Sequence, residues 1–459
     1  MSKIKGAVVV NTDRCKGCNL CVVACPTKTL ALTAGEVNHK GYAYCYMAQP
    51  ETCIGCSSCA IVCPDGCITV YKDGPKRPQA ESEPVASGLP EYPMEVPAEE
   101  EREVLLMKGN EAIAHAAIRC GCDGYFGYPI TPQSEVLETL AELKPWETTG
   151  MVVLQAESEV ASINMLYGGG GTGKRVMTSS SSVGIALMQE GISYMAGAEV
   201  PGVIVNVQRG GPGLGTIQPS QSDYNQATRG GGNGDYNVIV LAPASVQEMA
   251  DFVDLAFSLA FKYRTPAMIL SDGVIGQMME KVVLPPYKPR RTEEEIVKEC
   301  PWAANGHGLK SRKPNVITSL ELDPAEMEKK NEHLQAKYRD IQANEVRFEE
   351  TNLEDAELAI VAFGSAARIS YKAMENARAQ GIKVGLFRPI TLWPFPEKEI
   401  AALSRRVKGL LVVEINAGQM VYDVKLAAEG RIPVGHYGRL GGIVPSPDEI
   451  VDALKKLVD

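Results

Sequence analysis

Two copies of one cysteine pattern constrain this chain more than any other feature. Cys15-x2-Cys18-x2-Cys21-x3-Cys25-Pro26 recurs 38 positions later as Cys53-x2-Cys56-x2-Cys59-x3-Cys63-Pro64. A [4Fe–4S] cubane needs four thiolates. A tight C-x2-C-x2-C turn supplies three, and the distant C-P of the other copy supplies the fourth. The spacing therefore assigns Cys15, Cys18, Cys21 and Cys63 to one cluster, and Cys53, Cys56, Cys59 and Cys25 to a second. Zinc is the competing metal, but this doubled pattern is a poor zinc pattern. Each copy is followed by a short strand-like run, Leu30-Ala31-Leu32 and Ile68-Thr69-Val70-Tyr71. Residues 1–74 read as one two-cluster domain.

Cysteine usage also bears on the compartment. There are 13 cysteines, an odd number, and ten of them lie between Cys15 and Cys67 of a 459-residue chain. A secreted disulfide framework is normally short and evenly paired, so the expectation is ligation in a reducing cytoplasm. Cys45, Cys67, Cys120, Cys122 and Cys300 lack ligand spacing and read as small buried hydrophobes. The apolar run Ala7–Val10 is too short for the core of a signal peptide. No apolar run reaches the ~18–20 residues that span a bilayer. Forty-six basic against 56 acidic residues give a net charge of −10, which argues against nucleic-acid binding as the main function.

Beyond the cysteines the composition changes. Residues 75–102 are rich in proline and glutamate and read as a semi-rigid linker. Residues 103–290 alternate apolar runs with helix-like and glycine-rich segments. Met151–Leu154, Arg175–Thr178, Gly202–Val207, Val238–Leu241 and Pro266–Leu270 read as buried parallel strands, and Ser245–Phe261 as a helix. That alternation implies a doubly wound α/β domain. Residues 291–350 form a charged connector, in which Met327, Leu334, Tyr338 and Ile341 mark an amphipathic helix over Pro324–Val346. Residues 351–459 return to α/β, with strands at Leu358–Phe363, Val384–Phe387 and Leu410–Glu414 and a last helix at Asp448–Val458.

Several motifs sit at strand–helix junctions. The run Gly168–Lys174 satisfies GxxxxGK, but Arg175 replaces the Ser/Thr that would hold magnesium. The glycines also fall at a helix C-terminus, where the dipole repels phosphate. Thr131-Pro132 reads as an N-cap with proline at the first helical position, and Glu135 adds first-turn charge. Glu157 and Glu159 follow the strand Met151–Leu154 at a helix start, and capping accounts for both. Arg209 ends a strand and precedes Gly210-Gly211-Pro212-Gly213, which suits anion capture at the carboxyl edge of a sheet but equally fits a plain surface loop.

Taken together, GYPITP (127–132), QAESEVAS (155–162), RGGPGLGTIQPSQSDY (209–224) and GGGNGDY (230–236) resemble the α subunit of the 2-oxoacid:ferredoxin oxidoreductases, of the branched-chain 2-oxoacid and 2-oxoglutarate types. The resemblance covers about residues 103–459, while 1–74 resembles the two-cluster ferredoxin subunit that other members carry separately. It implies a thiamine-diphosphate pyrimidine-binding domain followed by a transketolase C-terminal-like domain. Glu159 would contact the aminopyrimidine, Thr131 the substrate, and Arg209 the substrate carboxylate. A carboxylate on the pyrimidine nitrogen would favour the imino tautomer that accepts the thiazolium proton.

The implied activity is oxidative decarboxylation of a 2-oxoacid to acyl-CoA and CO2, with coenzyme A as co-substrate and electrons passing through the clusters to an external ferredoxin. The family's GDG motif and distant asparagine for Mg2+ are missing, and Gly234-Asp235 does not replace them. The resemblance thus implies that a β subunit completes the thiamine diphosphate and Mg2+ site, with a γ subunit for coenzyme A chemistry. Leu214 and Ile217, with no second basic residue before Arg229, favour an aliphatic substrate tail; 2-oxoglutarate is the alternative. A reading of another class is an electron-transfer protein whose α/β part is only a docking scaffold.

Overall fold

A computed structural model describes residues 6–63, 67–72, 103–306 and 314–458. The expected linker 75–102 lies outside the described residues, as do Pro64 and residues 307–313 of the connector. The chain divides into two compact units, Met1–Pro90 and Glu91–Asp459.

In the first unit Gly6–Val10 pairs antiparallel with Ile68–Lys72, so the apolar run at the start of the chain is a strand. Leu30–Leu32 pairs with Cys45–Met47. Short helices, Leu20–Ala24 and Ser58–Ile61, follow the two cysteine turns. The sequence repeat is a backbone repeat as well. Gly17 and Gly55 have φ of 68° and 65°, and Asn19 and Ser57 have φ of 68° and 64°. Each turn thus bends twice through the left-handed region, where glycine costs nothing and asparagine little.

The second unit is built on a seven-stranded sheet. Its order is Thr391–Trp393, Ile239–Leu241, Pro266–Asp272, Gly202–Gln208, Val176–Ser180, Gly124–Gly127, Val152–Gln155. All neighbours are parallel except the first pair. The five runs read as strands are strands, four of them buried throughout. The fifth, Val152–Gln155, is the edge and its residues are half-buried or exposed. Gly124–Gly127 was not anticipated, nor was Thr391–Trp393, which comes from the C-terminal region and pairs antiparallel with Ile239–Leu241.

The helix after Val152–Gln155 runs through Glu159–Gly171 and includes the glycine run. Its glycines let it press on the sheet: a Cβ on Gly170 would lie 2.4 Å from the Pro201 carbonyl oxygen. Helix Pro324–Asn344 buries Leu334, Tyr338 and Ile341, while Met327 remains exposed. A second sheet, in the order Phe348–Thr351, Val384–Pro389, Leu358–Ala362, Gly409–Glu414, Val434–Gly438, is parallel apart from its first strand. No helix of the described residues is long and apolar enough to cross a membrane.

Candidate functional site

In the first unit the repeat brings the cysteines into two groups. One cavity is lined by Cys25, Cys53, Cys56 and Cys59, the four thiols that the spacing assigns to a single cluster. The other group gathers around Cys21, with Cys15 and Cys18 close enough to act on it electrostatically; burial, opposed by a hydrogen bond with Cys45, raises its pKa. Cys67 ties Cys63 to this group, lying 3.4 Å from the Cys63 sulfur and close to Cys15. Burial, then Cys63 and Cys15, push the Cys67 thiol up to about 12. Cys45 is fully buried and gives its amide to the Cys15 sulfur at 3.4 Å. Among the described residues no three His, Cys, Asp or Glu side chains are placed to hold a single metal ion. The thiols surround a space, and four thiols around a cavity fit a cluster.

Cys25 has a different neighbourhood. Its sulfur takes the Thr29 amide at 3.3 Å and lies 3.6 Å from the Thr27 hydroxyl. Burial raises this thiol, but the Thr27 and Thr29 hydrogen bonds outweigh it and bring it down to about 7.

In the second unit a cleft of about 1000 Å³ opens where strands end. Arg209 follows the strand Gly202–Gln208. Ser182 and Val183 begin the helix Ser182–Gly197 after strand Val176–Ser180. Ile415–Gln419 follows the C-terminal strand Gly409–Glu414. A sheet's carboxyl edge is the usual ligand crevice of α/β folds, and a helix N-terminus adds unpaired amides for an anion.

Arg209 is nearly buried. Its guanidinium donates to the carbonyls of Thr131 at 3.0 Å and Leu214 at 3.1 Å, while its Nε has no partner among the described residues. The backbone amide of Arg209 donates to the Ser182 hydroxyl at 3.0 Å. Thr131 and Arg209 are thus brought together, and the Thr131 side chain is exposed.

The expectation that Thr131 caps a helix is corrected. The Thr131–Pro132 peptide is cis, and the helix starts at Ser134, with Gln133 in the cap position. A turn closed by Gln133 N–H on the Ile130 carbonyl occupies the expected first helical positions. The Pro132 carbonyl is held by the Asn110 and Gln277 side chains at 2.7 and 2.9 Å, so Pro132 does not join the helix.

The two acids after strand Val152–Gln155 part company. Glu157 is exposed and accepts the Ser158 hydroxyl at 3.0 Å. Ser158 is the N-cap, accepting the Ala161 amide, which makes Glu159 the first helical residue. Glu159 is 7% exposed, and no hydrogen bond or ion pair meets its carboxylate among the described residues. It lies against Gly184, where an added Cβ would stand 2.7 Å from the carboxylate and 2.1 Å from the Ser180 hydroxyl. The Ser180 and Ser181 hydroxyls are buried without partners. Buried hydroxyls without partners, beside a carboxylate that no protein group meets, leave polar atoms for a bound group to satisfy. That donor and acceptor set fits a heteroaromatic ring bearing nitrogens.

Three features lay beyond the sequence reading: the Ser180–Ser182 run, Thr27 and Thr29 beside Cys25, and Asp223 in the cleft wall. Burial raises the pKa of Asp223, while the Ser182 hydroxyl and Asn206 side chain oppose the shift. Only the QSDY motif gave any signal for Asp223.

Comparison with known proteins finds matches along most of the chain. Residues 115–349 match the family model for pyruvate flavodoxin/ferredoxin oxidoreductase, thiamine-diphosphate-binding. Residues 356–450 match pyruvate:ferredoxin oxidoreductase core domain II, and 14–78 a 4Fe–4S dicluster domain. Ketoisovalerate oxidoreductase subunit VorB of Methanothermobacter marburgensis is 48% identical over 77% of this chain and 96% of its own length. 2-Oxoglutarate synthase subunit KorA of Methanothermobacter thermautotrophicus is 37% identical over 77% of this chain and 99% of its own. A solved 2-oxoglutarate:ferredoxin oxidoreductase from Magnetococcus marinus, with 2-oxoglutarate, coenzyme A and succinyl-CoA bound, gives a TM-score of 0.68 at 29% identity, covering 78% of this chain and 66% of that one.

Proposed function

The chain belongs to the pyruvate flavodoxin/ferredoxin oxidoreductase family, and from that premise we propose that it is the α subunit of a 2-oxoacid:ferredoxin oxidoreductase with its own two-cluster electron wire. Its reaction is oxidative decarboxylation of a branched-chain 2-oxoacid such as 2-oxoisovalerate. One observation carries the reading: Arg209 lines the cleft and donates to the Thr131 carbonyl, while Glu159 is buried beside Gly184, next in sequence to the cleft residue Val183.

Thiamine diphosphate, when bound, supplies the carbanion chemistry that lets CO2 leave. Glu159 holds negative charge against the aminopyrimidine ring, with Ser180 and Ser181 free to bond its remaining polar atoms. Arg209 binds the substrate carboxylate, with its partnerless Nε and its fork fixed by the Thr131 and Leu214 carbonyls. Thr131 offers its hydroxyl to the substrate from the same turn. Cys15, Cys18, Cys21 and Cys63 hold one cluster, and Cys25, Cys53, Cys56 and Cys59 the other. The diphosphate and Mg2+ need residues of a β subunit. A γ subunit, coenzyme A and an external ferredoxin complete a cytoplasmic system.

The substrate class rests on the cleft lining. Arg209 is the only basic residue among the described residues lining it, and Val183, Leu187, Leu214, Ile415 and Leu440 supply apolar surface. A 2-oxoglutarate tail would bring a second carboxylate with no cation to meet it, and an unpaired charge in such a site is costly.

Steady-state kinetics of the assembled enzyme with 2-oxoisovalerate, 2-oxoglutarate and pyruvate test this. We expect the highest kcat/KM for 2-oxoisovalerate. A preference of tenfold or more for 2-oxoglutarate, about 1.4 kcal/mol, would overturn the substrate reading. Absence of thiamine from the purified complex would overturn the catalytic one and leave an electron-transfer protein.

A further inference from the structure

The cluster cavity lined by Cys25 has a line of hydroxyls running away from it. Thr27 lies 3.6 Å from the Cys25 sulfur, Thr29 lies 2.8 Å from Thr27, and Thr52 lies 2.8 Å from Thr29. The Thr52 hydroxyl donates to the Gln49 carbonyl at 2.8 Å. Thr29 is buried, so the middle of the line is shielded from water.

Each hydroxyl has one proton and can also accept. Three in a row, between a sulfur and a carbonyl, can keep a proton in both 2.8 Å Thr–Thr contacts in only two ways. Either Thr27 donates to Thr29, Thr29 to Thr52, and Thr52 to Gln49; or Thr52 donates to Thr29, Thr29 to Thr27, and Thr27 to the Cys25 sulfur. Both orders contain three hydrogen bonds. They differ only in whether the terminal proton serves the carbonyl or the sulfur, and hydroxyl rotation alone interconverts them.

We propose that Thr27, Thr29 and Thr52 form a reversible hydroxyl relay that tunes the reduction potential of the cluster held by Cys25. This rests on the cluster-ligand reading given above. One-electron reduction adds negative charge that the ligand sulfurs share, and a hydrogen bond to a sulfur stabilises that charge. The electron comes from the reductant, and no proton leaves the relay. Thr27 stabilises the reduced state directly. Thr52 acts in the opposite sense, because its bond to Gln49 favours the order that points away from the sulfur. The repeat supplies an internal reference: the position 38 residues on from Thr29 is Cys67, so the other half of the unit has a thiol there instead.

The test is an EPR-monitored dithionite titration of the full chain, with iron counted in each preparation. One of the two midpoints should move to more negative potential in Thr27→Val and to less negative potential in Thr52→Val. It should stay in place in Thr52→Ser, and Thr27→Val/Thr52→Val should match Thr27→Val alone. The other midpoint should not move. If Thr52→Val loses iron, Thr52→Ala is smaller and carries the same expectation. Eight irons with Thr52→Val silent, or shifting in the same direction as Thr27→Val, would overturn the relay alone. Fewer than eight irons in the unmodified chain, or zinc in their place, would overturn the ligand reading beneath it.

Discussion

Glu159→Gln should separate chemistry from stability more sharply than any other change in this chain. Glutamine keeps the shape and bonding capacity of the side chain but cannot hold the charge that favours the active cofactor tautomer. Loss of an acid–base contribution typically slows a reaction ~10²–10⁴-fold, which is about 2.7–5.4 kcal/mol in the barrier. The effect on folding should be small. A carboxylate in the first turn of a helix gains about 0.3–1 kcal/mol from the dipole, and neutralising it forfeits that. No protein group meets the carboxylate, so no other partner is lost, and stability should change by about 1 kcal/mol or less, a few degrees in Tm. The assay is steady-state decarboxylation by the assembled enzyme, beside thermal unfolding and thiamine content of the same preparations. Glu157→Gln is the control: that side chain is exposed, and surface changes usually stay within about 0.5 kcal/mol. If Glu157→Gln abolishes activity while Glu159→Gln is silent, the wrong acid has been chosen. If Glu159→Gln unfolds the protein, its role is structural.

Other expectations follow from the same geometry. The full chain should bind about eight irons, and Cys63→Ser should perturb the cluster of Cys15, Cys18 and Cys21 while the EPR signal of the other cluster survives. On the proposed role of Arg209, Arg209→Met would remove charge-assisted bonds to the substrate carboxylate worth about 1.5–3 kcal/mol. It should lower kcat/KM for every 2-oxoacid by ~10- to 150-fold, and an effect confined to one substrate would argue against carboxylate binding. The chain without its partner subunits should decarboxylate no 2-oxoacid, so full activity from this polypeptide alone would refute the shared thiamine diphosphate site. Gly170→Ala gains about 1 kcal/mol of helix propensity, but its Cβ would stand 2.4 Å from the Pro201 carbonyl and 2.7 Å from Val200. Overpacking of that kind costs about 1–3 kcal/mol, so a lower Tm is expected and a higher one would show that the helix can retreat from the sheet.

Most strands legible in the sequence are buried on both faces, where β-branched and apolar residues dominate, as in Gly202–Gln208 and Pro266–Asp272; the edge strand Val152–Gln155 is legible from its apolar run alone. Gly124–Gly127 escaped because two of its four residues are glycines. Thr391–Trp393 escaped because it is short and borders Pro394, and only pairing with a strand some 150 residues earlier makes it part of a sheet. Each is a strand by virtue of its neighbours, which local periodicity cannot report. At the site, the spacing of the cysteines anticipates that Cys25, Cys53, Cys56 and Cys59 share one cavity, although Cys25 comes from the other copy of the repeat. Thr131 was misread as a cap because Thr-Pro reads alike before a helix and in a turn. What distinguished them lay far away, at Asn110 and Gln277. Glu157 and Glu159 look equivalent as first-turn acids. The burial that separates them depends on Gly184, whose missing side chain leaves room for the carboxylate.

The borrowed strand Thr391–Trp393 has a consequence for how the chain must be made. It covers Ile239–Leu241, which is buried and apolar and would otherwise be a bare sheet edge. During synthesis that edge stays unpaired until residue 393 has emerged, roughly 150 residues after the strand it protects. At about 5–20 residues per second this is ~8–30 seconds. Uncovered apolar edges template pairing with other chains. A fragment ending near residue 350 would hold that exposure permanently. It should aggregate rather than yield a free cofactor-binding domain, whereas one extended beyond Trp393 has its edge closed.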